Sequence, residues 1–359
     1  MTTSSARALA VIEPRALTHN LARVRALAPG RRVYAAVKAD AYGHGALQVV
    51  HALAAADGFA VSSLDEAMQL RWAGVEQPVM LLSQTLDATT TAQAAEHDFE
   101  PVLFHDHQIA AVRSHRGGKL KVWGKIDSGM HRLGFEPGRA GEIAAALADA
   151  PAVECAGWMT HLACADDPAN GMTTRQFATF EQAVAALPGA RSVANSAGVV
   201  GWPDTHADVV RPGIMLYGSS PVLDRTAAAL DLRPAMHLSA PLISRGRIAA
   251  GEPVGYGATW TAPEAMDIGI IGIGYGDGYP RHAPSGTPVL LRGRRVPLVG
   301  RISMDMLAVD LRAVPEAGVG DRATLWGAGL PAEEVAAAAG TITYELYCRL
   351  TPRVTFEYR

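Results

Sequence analysis

The chain has 359 residues, 49% of them hydrophobic, and a formal net charge of −3. That length can build two domains with sizeable cores, and the near-neutral balance gives no basis for nucleic acid or an anionic membrane as partner. Three scattered cysteines, Cys155, Cys164 and Cys348, suit a reducing cytoplasm without a disulfide framework, and no Cys/His spacing reads as a metal site.

The opening "MTTSSARALAVIEP" lacks the apolar core of a secretory signal, so a cytoplasmic location is expected. The most apolar run, "MDIGIIGIGY", is too short and glycine-broken to cross a bilayer. Residues 1–13 are expected to form an N-terminal strand packing with a C-terminal domain. A helix starts at Pro14, with Leu17, Leu21, Val24 and Leu27 on one face. Then comes "VYAAVKADAYGHG" at 33–45, an apolar strand running into a two-glycine loop with Lys38 at the junction. An ammonium at the end of a buried strand is costly unless paired or neutralised.

Further strand-like runs follow at 58–63, 78–83, 100–104, 120–127, 153–161, 191–196 and 207–218, most of them separated by helix-like stretches. One of these helices shows Phe177, Phe180, Val184 and Leu187 as its stripe, ended by Pro188-Gly189. Continuous apolar strands alternating with helices indicate a covered parallel sheet. Eight such repeats over 14–230 fit an α/β fold of the (β/α)8 TIM-barrel type better than an open doubly wound sheet. "GIGYGDG" at 272–278 only superficially resembles a dinucleotide-binding turn, since no helix pattern follows it. From 231 to 359 the texture is β-rich with Gly and Pro punctuation, interrupted by one alanine-rich helix at 332–339, and reads as a mostly-β C-terminal domain.

In such a barrel the active residues gather at the C-terminal ends of the strands. Those ends bring Lys38, Tyr42, Lys125, Asp127, Met130, Arg132, His161, Asn195, Ser196 and Arg211 to one face. A lone histidine or arginine there is commonly a core residue or an ion-pair partner; the shared location is what favours function. "NSAG" at 195–198 opens a short helix and "PGI" follows the eighth strand, the loops where barrels often bind phosphate. Ser196 could add its hydroxyl, and Gly213 permits close backbone approach; a plain Ser N-cap and a turn glycine are the simpler alternatives. Lysine occurs only at 38, 119, 121 and 125. A lysine facing a phosphate site suggests pyridoxal phosphate (PLP), whose aldehyde forms a Schiff base with a lysine amine. Lys38 is the best placed of the four.

At this point the chain resembles the alanine racemase family. "AVKADAYGHG", "KIDSGMHRLG", "MTHLACADD", "ANSAG", "RPGIMLYG", "VGYGATW", "GYGDGYPR" and "GRISMDM" match it in family order across essentially the whole chain. The resemblance implies a PLP-binding barrel, a C-terminal β domain and a head-to-tail homodimer with shared active sites. It implies interconversion of L- and D-alanine by two-base proton transfer at Cα of a PLP external aldimine, with D-alanine made for peptidoglycan or degraded. Lys38 would hold PLP and act on one face of the substrate; Tyr256 of the other subunit would act on the opposite face. Tyr42, Ser196, Gly213 and Ile214 would hold the phosphate, with Asn195 beside them. Arg211 would contact the pyridine nitrogen, and His161 would link Arg211 to the partner's Tyr256. Arg132 and the Met304 backbone N–H would bind the substrate carboxylate. Tyr275, Tyr279 and Arg301 would line the entrance, with Asp305 in support. Lys125 matches a position that carries a carbamylated lysine in several members; an unmodified structural lysine is the alternative. No metal is implied.

The chemistry agrees, because one base cannot easily reach both faces of Cα. Arginine keeps its proton, so Arg211 would weaken the cofactor as an electron sink and limit transamination. One departure is Pro352, where some members place a tyrosine touching the phosphate. Three other readings fit the sequence less well. A decarboxylase of similar architecture would want an acid at 211 and a partner cysteine. A PLP carrier would lack residues 231–359. A metal-free hydrolase using Asp127, Asp166 and Asp167 would leave Lys38 unexplained.

Overall fold

The computed structural model describes residues 7–359, so the first six residues of the expected N-terminal strand lie outside it. The chain forms two compact units. One contains the chain up to Ala16, Tyr42–His44 and Arg233–Arg359; the other contains Leu17–Ala41 and Gly45–Leu232.

The first strand is β1 (Leu9–Ile12). The next eight are β2 (Arg32–Ala36), β3 (Gly58–Val61), β4 (Val79–Leu81), β5 (Phe99–Leu103), β6 (Leu120–Lys125), β7 (Val153–Met159), β8 (Ala190–Ser192) and β9 (Val209–Val210). Strands β2 to β9 form one parallel sheet in the order β8-β7-β6-β5-β4-β3-β2-β9. It closes through a parallel bridge between Asn195 and Arg211, where Arg211 N–H donates to the Ala194 carbonyl at 2.9 Å. Helices fill the connections, among them Leu64–Trp72, Ala88–Glu96, Asp106–Ser114, Ala140–Ala148 and Met172–Val184. The expected (β/α)8 barrel is therefore present, with its last two strands reduced to three and two residues.

Nearly unbroken burial along β3, β4 and β5 explains their continuous apolar sequence. Tyr34, Ala60, Met80, Val102, Trp123, Met159 and Val209 form the core inside the ring. Glu100 is buried among them, but its carboxylate accepts from Trp123 Nε1 at 2.8 Å and the Tyr34 hydroxyl at 3.3 Å. A buried polar group is tolerable once its partners are supplied in this way.

Two tryptophans set the spacing of β6 and β7. In register, Trp123 faces Gly157 and Gly124 faces Trp158. A Cβ on Gly124 would lie 2.4 Å from the Trp158 ring, and one on Gly157 would lie 2.1 Å from the Ala190 carbonyl oxygen. Each indole occupies the room its glycine partner leaves.

The helix Pro14–Leu27 buries Leu17, Leu21 and Val24, as its spacing predicts, with Leu27 half-buried. Met172–Val184 differs in part. Its buried face is Thr173, Gln176, Phe180 and Val184, and Leu187 lies past its end.

In the mostly-β unit, the thirteen-residue strand Met236–Ile248 bends at a register shift between Leu242 and Ser244. It pairs with both Arg322–Trp326 and Met266–Ile271, which closes that sheet on itself. β1 lies between Met236–Ile248, antiparallel, and Thr355–Tyr358, parallel. The helix Ala332–Ala339 falls where the sequence predicts it; a second, Thr343–Cys348, has too few residues to show a period. No helix among the described residues is long and apolar enough to cross a membrane.

Because the clash at Gly157 is with backbone, which cannot rotate away, Gly157→Ala is expected to cost about 3 kcal/mol. A lowered denaturant midpoint relative to Gly118→Ala, which meets open space, checks it.

Candidate active site

Strand β2 stops at Ala36, and Lys38 opens a six-residue helical segment, Lys38–Gly43. The sequence predicts a loop here. Instead Ala39, Asp40, Ala41 and Tyr42 have φ of 53°, 51°, 51° and 54°, and Gly43 has 72°. This is a left-handed turn built mostly from non-glycine residues, a conformation costing roughly 1–2 kcal/mol per L-residue. It is internally bonded: Ala41 N–H donates to the Val37 carbonyl at 2.9 Å and Gly45 N–H to the Asp40 carbonyl at 3.1 Å. Nothing in "ADAY" foretells positive φ. Persistent strain of this kind collects at functional sites.

Lys125 is the last residue of β6 and is buried. The loop beyond it folds back tightly, with Phe135 N–H donating to the Lys125 carbonyl at 2.8 Å and Asp127 N–H to the Phe135 carbonyl at 2.9 Å. Burial pushes the Asp127 carboxyl up, but backbone N–H bonds from His131 and Gly129 outweigh it and hold the carboxyl below its usual range. Arg132 is exposed on this loop.

After β7, Gln176 fixes the chain around His161: its Nε2 donates to the His161 carbonyl at 3.0 Å, and its Oε1 accepts from Ala163 N–H at 2.8 Å. Burial, then the charges of Arg211, Lys125, Arg132 and Lys38, push the His161 imidazole well below its ordinary pKa. It is therefore neutral at pH 7. The same cations act on Lys125. Burial first, then Arg211, Arg132 and Lys38, lower its amine to about 8.

Arg211 is buried, and its guanidinium donates to the Thr160 carbonyl at 2.7 Å, the Val193 carbonyl at 3.4 Å and the Ser192 hydroxyl. These bonds run to β7 and β8 and their ends. The Arg211 charge also acts on His161. Burial lowers Arg211 to about 10, which leaves it charged at neutral pH.

Asn195, not Ser196, caps the helix Ser196–Gly201, its side chain accepting from Gly198 N–H at 2.9 Å. That frees the buried Ser196 hydroxyl to accept from Gly213 N–H at 2.7 Å and Met215 N–H at 3.5 Å. With its oxygen so engaged, its own proton is available to an anion. Ile214 is fully buried at the start of the turn Ile214–Tyr217, and the Tyr217 hydroxyl ties that turn to the Ala36 carbonyl at 2.9 Å. Four cations, a neutral imidazole and a hydroxyl with a proton to give form a donor set suited to a small anionic ligand.

The other unit contains the remaining expected residues. Tyr42 is buried 5.7 Å from the Tyr344 ring, and burial, then Tyr344 and Cys348, push its hydroxyl far above the ordinary value. It stays a neutral donor. Tyr256 is 69% exposed, on a turn in which Gly255 and Gly257 have φ of 76° and 71°. That turn packs on Arg301, itself exposed; a Cβ on Gly257 would lie 2.9 Å from the guanidinium. Met304 and Tyr275 are also exposed, and their loops are joined by Gly276 N–H to the Met304 carbonyl at 2.8 Å and Tyr275 N–H to the Ser303 carbonyl at 3.1 Å. Asp305 pairs with Arg353 at 2.6 Å, which holds its carboxyl low. Tyr279 corrects the expectation of an entrance residue. Gly278, at φ 103°, turns the chain inward, and Tyr279 is fully buried, stacked on Trp326 at 6.2 Å. Pro352 is exposed.

Sequence reasoning missed Thr160, Ser192, Gln176 and Tyr217. Polar residues buried within apolar strand and helix patterns were the available signal. Among the described residues no group of three or more His, Cys, Asp or Glu could hold a metal.

Comparison with known proteins supplies the family. The model of the alanine racemase N-terminal domain matches residues 12–221, and that of the C-terminal domain matches 235–358. The alanine racemase of Halorhodospira halophila is 50% identical over 356 residues, 98% of each chain. The crystal structure of the biosynthetic alanine racemase from Pseudomonas aeruginosa superposes with a TM-score of 0.96 at 46% identity, covering 99% of this chain and 100% of that one. That of alanine racemase from Bartonella henselae with covalently bound pyridoxal phosphate gives 0.90 at 29% identity, covering 99% and 100%. With both domain models matched and half of its residues identical to a full-length relative, the chain belongs to the alanine racemase family, a family of isomerases.

Proposed function

We propose that the chain racemises alanine with PLP, working as a head-to-tail pair of copies. The observation that supports this best is the cationic group of Lys38, Lys125, Arg132 and Arg211 around the neutral His161. Such a group fits a ligand bearing a phosphate, a phenolic oxygen and a substrate carboxylate. When bound, PLP supplies electron withdrawal that acidifies the substrate Cα–H.

Lys38 is the covalent attachment point and then the group that takes or returns the Cα proton on one face. Tyr256 of a second copy serves the other face, where its exposure leaves it accessible. The Ser196 hydroxyl, the backbone at Gly213 and Ile214, the neutral Tyr42 hydroxyl and the neighbouring Asn195 hold the phosphate. Arg211 would contact the ring nitrogen of the bound cofactor and, as an arginine, would keep its proton there. Arg132 and the Met304 N–H orient the substrate carboxylate, Tyr275 and Arg301 border its entry, and Asp305 steadies the Met304 loop through Arg353. Neutral His161 links Arg211 to Tyr256 of the second copy without adding another cation. Lys125, with an amine near 8, holds enough free base at neutral pH to add to carbon dioxide, losing a proton to solvent. The carbamate so formed would be an anion facing Arg132.

Purified protein supplied with PLP is expected to interconvert L- and D-alanine; failure in a chiral assay would sink this reading. Tyr256→Phe should lower kcat about 10²–10⁴-fold. Inactive Lys38→Ala and Tyr256→Ala chains, mixed into heterodimers, should recover about half the wild-type rate, because one of the two sites is then intact. Sites built within one chain would recover nothing.

The Lys125 shift sets a second test, on cofactor-free protein without bicarbonate. Below pH 8 the amine is charged in both folded and unfolded states, and its burial penalty is fully present. Between about 8 and the ordinary 10.5 only the unfolded state keeps the proton, so stability rises with pH. Denaturant midpoints at pH 7 and pH 10 should show this gain in the wild type and not in Lys125→Met.

A further inference from the structure

The left-handed turn after Lys38 is fixed at its two ends by carboxylates. At the far end, Asp40 Oδ1 accepts from Ala46 N–H at 2.7 Å. At the near end, Glu66 Oε1 accepts from Ala39 N–H, also at 2.7 Å. Glu66 stands on the helix Leu64–Trp72, where it completes a capping box with Ser63. A capping box needs one carboxylate oxygen, and that task falls to Oε2, which accepts from Ser62 N–H at 2.7 Å and Ser63 N–H at 3.4 Å. The other oxygen leaves the helix and reaches the residue next to Lys38. One carboxylate thereby joins the backbone beyond β2 to the backbone beyond β3.

We infer that Glu66 is a positioning residue for Lys38: by holding Ala39 N–H it stabilises the left-handed turn and so fixes the direction in which the lysine amine leaves β2. The energetic case is direct. Ala39 is the first of the residues held at positive φ, at 53°, and lacks the conformational freedom of glycine. A hydrogen bond to a charged acceptor is stronger than one between neutral groups, enough to offset the cost of that residue's conformation. Without it, Ala39 relaxes toward negative φ and the Lys38 side chain swings with it. The inference rests on Lys38 as the cofactor lysine.

The test has two readouts. In cofactor-free protein, amide hydrogen exchange at Ala39 and Ala41 reports the turn itself. In PLP-loaded protein, kcat and KM for alanine report placement of the lysine. Glu66→Ala is expected to speed exchange about tenfold at both amides, and to lower kcat about tenfold with KM within about twofold, since placement acts on the reacting step. Glu66→Gln has one acceptor oxygen for the three N–H groups that the carboxylate holds and should fall between it and the wild type; it decides the exchange test should Glu66→Ala not fold. Ser63→Ala removes the other half of the cap and should leave both readouts at wild-type values. Unchanged exchange in Glu66→Ala, or an equal rise in Ser63→Ala, overturns the inference. A wild-type chain that fails to racemise alanine overturns the functional reading instead, and the exchange result stands apart from it.

Discussion

The barrel holds like charges together, and much of its local architecture serves that constraint. Arg211, Lys125, Arg132 and Lys38 all act on His161. Unit charges a few ångströms apart in a partly dry setting repel by several kcal/mol. At Arg211 the fold bears this repulsion by fixing the guanidinium through neutral oxygens. Arg211 is held by the Thr160 and Val193 carbonyls and the Ser192 hydroxyl. Asp127, the nearby acid, is turned to the backbone of Gly129 and His131. The field stays positive and is met by whatever anion binds. A ligand that binds only the folded state in this way raises its stability by mass action, so the barrel and its ligand are energetically one system.

Rigidity below the site makes strain above it affordable. Beneath the strand ends, the paired Trp123–Gly157 and Gly124–Trp158 contacts leave no room for β6 and β7 to slide. The Tyr217 hydroxyl anchors the late loop to β2 at Ala36, two residues before Lys38. The left-handed turn therefore starts from a fixed point. Its cost is local, and the contacts that over-determine it are polar, directional and distributed over the backbone beyond β2, the backbone beyond β3 and the helix after β3.

The barrel was legible because parallel strands buried on both sides need continuous apolar runs, and those runs survive in sequence. The helix Ala332–Ala339 was legible for a like reason, since an unbroken alanine-rich stretch has few other outcomes. Site residues at strand ends could be located because the topology puts every such end on one face. What could not be read was conformation and direction. "ADAY" contains no glycine, so a propensity argument gives no positive φ, and hydrogen bonds to Glu66 and Asp40 hold it there. Tyr275 and Tyr279 share one short motif, and a single left-handed glycine between them sends one outward and the other into the core. Asn195 and Ser196 are both good caps; the strand geometry at Arg211 decides that asparagine takes the cap and serine turns to Gly213.

The two tyrosines given roles in the chemistry sit at opposite extremes of solvation, and that contrast assigns them different work. Tyr42 is buried, and desolvation holds its hydroxyl in the neutral form, which can donate a hydrogen bond to a phosphate and cannot serve as a base. Tyr256 is 69% exposed. A phenol acts as a base through its anion, which nearby positive charge stabilises. To act as a base it must enter a positive field, and the cations that create one are in the barrel. Arg301 is the charge packed on its own turn. A second copy that receives Tyr256 would supply both the field and the dehydration. On this reading, assembly completes the acid–base chemistry, and an isolated chain would hold one competent base where racemisation needs two.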